Sequence, residues 1–221
     1  MRIKALLLVA AVWFALCLSA QEADVYTPGD QSLMLLPTAY TMPKGTSSFT
    51  DYEIIVIQYA YAPTNSTHIS GMTLMPFFKG FEQSITLGVK QRYLKKGIVQ
   101  SAAFASYTPK SQVLTLGNVI SLGKPSQSFH LGAVYAWDKE EGMDSPIIFA
   151  GVRKDLGRKV AFMMEYGTIL DEMREDLSGV ISFGFRFKGE SIAWDLGGIR
   201  PTGFSDGVLY FFPVIKATFE F

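Results

Sequence analysis

The stretch Ile181-Ser182-Phe183-Gly184-Phe185-Arg186-Phe187-Lys188 sets apolar and polar residues in strict alternation. A period of two is the signature of a β-strand, whose successive side chains leave opposite faces of the sheet. One face of this segment is therefore greasy, and the other carries charge. The contrast recurs in Phe129, Leu131, Ala133, Tyr135 and Trp137 against His130, Gly132, Val134, Ala136 and Asp138. It returns in Ile85, Leu87, Val89 and Tyr93 against Thr86, Gly88, Lys90 and Arg92, and in Val160, Phe162, Met164 and Tyr166 against Ala161, Met163 and Glu165. A soluble sandwich with its apolar face inward would show the same alternation, so periodicity alone does not choose between water and lipid.

The two ends of the chain make that choice. Arg2 and Lys4 precede an apolar run from Ala5 to Leu16, and Leu18-Ser19-Ala20 supplies small residues before Gln21. That order is the order of a secretory signal peptide, so residues 1–20 are expected to be removed and 21–221 to form one domain. At roughly a dozen residues the run falls short of the ~20 that a spanning helix needs. At the other end, Phe221, Phe219, Ala217, Ile215 and Phe211 share one face, interrupted by Pro213. A terminal aromatic with alternating apolar residues upstream resembles the signal by which barrel assembly machinery recognises its clients, and Phe219 and Phe221 would carry it.

Segments of about ten residues, separated by Gly, Pro, Asn, Asp, Ser and Lys clusters, run from Gly45 to the end. Strands are expected near 47–61, 67–75, 82–94, 97–107, 112–123, 128–138, 145–154, 158–168, 178–188, 190–199 and 208–221. That makes an odd number, whereas single-chain bacterial barrels close with an even one. Leu33 to Thr41 would supply the missing first strand. The expected fold is all-β, an antiparallel up-and-down transmembrane β-barrel of about 12 strands, with 10 as the alternative.

Composition agrees with a lipid-facing surface: hydrophobic residues make up 48% of the chain and charged ones only 18%. Removing the signal segment leaves 18 basic against 20 acidic residues. Such a balance gives no basic stripe for nucleic acid and no polybasic segment for anionic lipid. The only cysteine, Cys17, would leave with the signal segment; Leu16 before it argues against lipidation. No metal or other cofactor is expected, since His68 and His130 are the only histidines.

Leu33 to Ile54, LMLLPTAYTMPKGTSSFTDYEI, resembles the opening of a group of small bacterial outer-membrane β-barrel proteins of uncharacterised function. Glu165-Tyr166, Asp195-Leu196-Gly197, Ile199-Arg200-Pro201 and Phe212-Pro213 match the same pattern. The resemblance implies a location in the outer membrane of a Gram-negative cell, with its lipids and assembly machinery as partners, and implies no substrate. Physically, Pro37 and Pro43-Lys44-Gly45 fix the entry and turn before the first long strand.

With the apolar faces toward lipid, the lumen receives Asp51, Glu53, Lys90, Arg92, His130, Arg153, Glu165, Arg186, Lys188, Asp195 and Lys216. Enclosed charges must find partners, so this mixed-sign interior reads as a paired network filling the barrel, ahead of a selective aqueous path. Glu165 and Asp195 would be neutralised by Arg186 or Arg200. Tyr93, Tyr135, Trp137, Tyr166 and Trp194 suit the membrane interface, where an amphipathic ring rests at head-group level. Ser128 and His130 lie two apart on one face, a spacing that invites comparison with outer-membrane lipid hydrolases but lacks a nucleophile turn and a third group. The leading expectation is a non-catalytic barrel with a structural role or limited solute passage. A lipid-modifying enzyme and a secreted soluble barrel with an apolar ligand inside are the alternatives.

Overall fold

The structure, a computed structural model, describes residues 26–138, 142–143, 146–170, 179–202 and 211–221. The proposed signal segment 1–20 with Cys17, and the connection 171–176, lie outside the described residues. Strands β1 (Ser47–Tyr52), β2 (Val56–Thr64), β3 (Thr67–Leu74), β4 (Thr86–Lys96), β5 (Val99–Thr108), β6 (Val113–Lys124) and β7 (Gln127–Asp138) follow in order. After a two-residue strand β8 (Gly142–Met143) come β9 (Ile147–Asp155), β10 (Val160–Ile169), β11 (Gly179–Lys188), β12 (Ile192–Thr202) and β13 (Phe212–Glu220).

Each long strand pairs antiparallel with its neighbours, β7 with β9 included, and β13 returns to β1 in the register Ser48↔Glu220 to Tyr52↔Lys216. Among the described residues twelve long strands thus close a ring, which removes every unpaired edge. Phe221 finishes the seam: its amide and carbonyl both bond the backbone of Ser47, at 3.0 and 2.8 Å. No helix among the described residues is long and apolar enough to cross a membrane.

The count of twelve arises differently from the sequence expectation. Residues 47–61 are two strands, not one, because the chain reverses at Glu53-Ile54, where both residues have positive φ, 57° and 60°. Ile55 donates its amide to the Tyr52 carbonyl at 3.0 Å, closing a turn of the mirror-image kind that suits twisted hairpins. Leu33 to Thr41 is not a wall strand. It lies inside the ring.

Connections are short at one rim, with two-residue turns at 65–66, 97–98 and 125–126, and longer at the other, at 75–85, 139–146, 170–178 and 203–211. Both termini of the barrel wall sit at the short-turn rim. The 75–85 connection includes a single helical turn, Phe81–Ser84, where the sequence suggests the start of a strand.

Barrel diameter grows with strand number: about eight strands can be filled by their own side chains, and about sixteen leave a channel. Twelve lie between, and here the chain fills the surplus with its own residues 26–46. This segment enters at the short-turn rim through a Thr27-Pro28-Gly29-Asp30 turn, with Gly29 at φ 84° and Asp30 N to Thr27 O at 3.1 Å. Pro at the second and Gly at the third position are what a type II turn demands. It doubles back in a tight hairpin, Leu33 N to Leu36 O at 2.8 Å with Ser32 bridging Pro37, and returns to the rim through Pro43-Lys44-Gly45.

The core lies within the ring and is built on this plug. Leu33 and Met34 pack with Met163 and Val214, Ala39 with Ala102, Val119 and Phe149, and Met42 with Ala60 and Ala62. Small residues on the inner wall make the room: a Cβ on Gly151 would stand 2.4 Å from Leu33 Cδ1, and one on Gly197 2.5 Å from Met34 Cε. The outer face carries the exposed apolar residues, among them Ile69, Leu116, Leu131, Phe185 and Ile215.

Candidate functional site

A hairpin inside a barrel has no sheet neighbour for its backbone, and enclosed N–H and C=O groups must still be satisfied. Charged side chains of the wall supply those partners. Arg186 donates from Nη1 to the Gly29 carbonyl at 2.7 Å and from Nη2 to those of Ser32 and Leu33 at 3.1 Å each. Lys216 donates to the carbonyls of Leu33 and Met34, the latter at 3.0 Å. Lys90 donates to Gln31 and Thr38 carbonyls at 2.9 and 3.1 Å. Glu165 serves the opposite need, accepting from the Leu36 and Leu35 amides at 3.0 and 3.1 Å and from the Ser182 hydroxyl at 2.6 Å.

The sheet register explains why these side chains meet. Arg186 stands opposite Asp195 on β12, and Asp195 opposite Lys216 on β13, so the three form one row across adjacent strands. Asp195 holds Arg186 Nε at 2.7 Å and Lys216 Nζ at 2.7 Å, and all three are fully buried. Arg153 pairs with Asp30 of the plug and reaches Asp155 at 3.4 Å, while Asp155 also pairs with Lys188 at the short-turn rim. Glu220 accepts from Gly29 N at 3.2 Å and from the Tyr26 hydroxyl at 3.0 Å. Asp30, Asp155, Glu220 and Tyr26 thus belong to the network although no sequence feature had singled them out. The Thr-Pro-Gly-Asp turn was the available sign for Asp30.

Two expected lumen residues are elsewhere. Ser48 and Thr50 are buried inside, so Asp51 points outward by alternation, where its carboxylate accepts the Ile54 amide at 2.9 Å and it borders an outer groove with Trp194 and Ile215. Glu53 occupies the β1–β2 turn and is exposed. Arg200 does not neutralise Glu165 or Asp195; it lies over the Phe211 ring at 6.0 Å. Arg92 does lie inside, donating to Gln100 Oε1 at 3.1 Å and the Asn65 carbonyl at 2.7 Å.

Tyr93, Tyr135, Trp137 and Trp194 are exposed on the outer face, and Tyr166, on the same face of β10, is half-buried. Phe219 and Phe221 also face outward, Phe221 being 73% exposed.

His130 is fully buried between two hydroxyls, with Ser121 Oγ 2.7 Å from Nδ1 and Ser128 Oγ 2.9 Å from Nε2. Ser121 also accepts the Ala39 amide of the plug at 2.8 Å. The Ser128–His130 distance would suit a nucleophile and its base, but the second ring nitrogen meets a serine where a hydrolase needs an orienting carboxylate. His68 Nε2 likewise accepts the Met42 amide. Both histidines are thereby used in seating the plug. Among the described residues no three His, Cys, Asp or Glu side chains gather as a metal site.

Two cavities flank the hairpin tip. One, of about 410 Å³, is lined by Leu35, Leu36, Glu165, Ile169, Val180 and Thr202. The other, of about 320 Å³, lies against β1 to β5 and is lined by Tyr52, Gln58, His68, Ser70, Lys90 and Ser106.

No protein-family model and no curated protein matches the chain in sequence. The outer membrane protein Omp33 of Acinetobacter baumannii superposes on 80% of this chain and 96% of its own, with a TM-score of 0.42 and 14% identity. The KdgM porin, solved in complex with disordered oligogalacturonate, superposes on 80% of this chain and 98% of its own, with a TM-score of 0.55 and 5% identity. At that identity the likeness is one of fold, and the fold shared with a porin is the closed antiparallel barrel described above.

Proposed function

We propose that this chain is an integral outer-membrane β-barrel, exported by a cleaved segment 1–20, whose lumen is occupied by its own residues 26–46 and which passes only small solutes. The observation that carries this reading is the wall network of Arg153, Glu165, Arg186 and Lys216 closed on the backbone and Asp30 of the plug. An apolar outer face with interfacial aromatics supports lipid as the solvent. The short-turn rim carrying the termini then faces the periplasm, and the longer connections face outside. An oligogalacturonate, the ligand in the KdgM complex, would need a row of free cations along the wall; on β9 to β13 Arg153, Arg186 and Lys216 are turned onto the plug instead. Aromatic residues at the terminal seam, Phe219 and Phe221, remain available to assembly machinery.

Planar-bilayer recording tests the reading. The full chain should give small unitary currents, and the folded fraction of a chain lacking residues 26–42 should give currents several times larger. Equal currents from the two would overturn the plug; a protein that stays dispersed without detergent would overturn the membrane location.

A further inference from the structure

The lumen is electrically uneven. On the inner wall of β9 to β13 the cations have carboxylates: Arg153 and Lys188 with Asp155, Arg186 and Lys216 with Asp195. The wall of β1 to β6 holds two inward cations behind its rim, Lys90 and Arg92 (Lys95, in the same register, is exposed at the rim), and among the described residues no carboxylate lies within ion-pair distance of either. Both are bonded to neutral acceptors only, Gln31, Thr38 and Asn65 carbonyls and the Gln100 amide oxygen. An ammonium in a confined site without a counter-charge is costly and is offset by whatever anion can reach it.

Space for that anion adjoins Lys90. The 320 Å³ cavity has room for roughly ten waters, and no Asp or Glu lines it. Its polar lining includes donors suited to an oxyanion. Lys90 has three N–H groups and spends two on carbonyls. His68, directly opposite Lys90 in the register, accepts the Met42 amide at Nε2, which puts the proton of its neutral ring on Nδ1. Ser70 and Ser106 add hydroxyls on either side of Gly88. Two residues along β4, Arg92 continues the positive line toward the short-turn rim.

We infer that the β1–β5 side of the lumen is a binding site for a small oxyanion at Lys90, with Arg92 as the next step of its path, so that the residual passage prefers anions. This deepens the reading of limited passage and rests on it for the transport step alone, since binding needs only the cavity. The test uses the full barrel in detergent, titrated calorimetrically with inorganic phosphate, and in planar bilayers under a potassium chloride gradient. The wild type should bind phosphate and show a chloride-preferring reversal potential. Lys90→Met should weaken phosphate binding about ten- to a hundredfold, the worth of one charge-assisted hydrogen bond, and move the reversal potential toward potassium. Lys90→Arg, which keeps the charge, should retain the chloride preference and shows whether a loss in Lys90→Met is merely a loosened plug; Lys79→Met, exposed in the 75–85 connection at the opposite rim, should match the wild type in both assays. Phosphate binding absent in the wild type, or equal in Lys90→Met, overturns the site even if current flows. Phosphate binding without any wild-type current upholds the site and overturns the passage.

Discussion

Arg186 shows what a single interior charge does here. Its guanidinium grips Asp195 through Nε and Nη2, at 2.7 and 2.8 Å, and spends its remaining donors on three carbonyls of residues 29–33. The side chain is fully buried. Replacing it with Met keeps much of the volume but leaves Asp195 with Lys216 alone and takes a donor from three carbonyls, of which Leu33 keeps Lys216 and Gly29 keeps the Ser32 amide. Removing one member of such a buried pair costs about 3–5 kcal/mol. Arg186→Met should therefore lower the unfolding free energy by about that amount in urea titrations of the lipid-reconstituted barrel. Arg186→Lys should recover only part, because a compact ammonium cannot serve a carboxylate and the hairpin carbonyls with the same fork. Alternation in the sequence places Arg186, Asp195 and Lys216 on one inward face, since that is a matter of parity. It does not reveal that Arg186 and Lys216 also donate to backbone carbonyls, which every residue owns alike. Asp30 stayed hidden for a related reason: it belongs to a turn outside any alternating segment.

Elements were legible where a breaker residue separates them and illegible where none does. Residues 49–57 run Phe-Thr-Asp-Tyr-Glu-Ile-Ile-Val-Ile without Gly, Pro or Asn, and a lone Asp51, whose carboxylate accepts the Ile54 amide at 2.9 Å, is the one sign of a reversal. The reversal occurs all the same at Glu53-Ile54, in a conformation that Asn-Gly fills at little cost. A left-handed backbone costs a residue with a Cβ about 1–2 kcal/mol, and a β-branched one is especially disfavoured. Ile54 is 66% exposed and so returns little through packing. Ile54→Gly should accordingly raise the stability of the barrel by about 1 kcal/mol, seen as a higher urea midpoint with unchanged conductance. The plug resembles a wall strand in sequence for the opposite reason. Leu33 to Thr41 has the apolar density of a strand because it is as enclosed as one, but it satisfies its backbone through wall side chains instead of a ladder.

At the scale of the whole molecule the question is which solvent the outer face meets. The ring closes at the β1–β13 seam and the plug fills its centre, so the outward residues are not a core awaiting some other partner within the chain. Leu131 stands near the middle of β7, 52% exposed, with its neighbours on that face also apolar. In water an exposed Leu→Arg change is nearly neutral, within about 0.5 kcal/mol. On the lipid face of a barrel the same change costs about 2–4 kcal/mol at the bilayer midplane and falls toward 0–1 near the interfaces. Leu131→Arg should therefore destabilise the reconstituted barrel by about 2–4 kcal/mol, whereas Trp137→Arg, six residues nearer the long-connection rim, should lose far less to lipid. The contrast is depth-dependent, so it separates a membrane-spanning face from a merely sticky one. Equal and small effects at both positions would mean that the outer face is wet and that the bilayer does not surround this barrel.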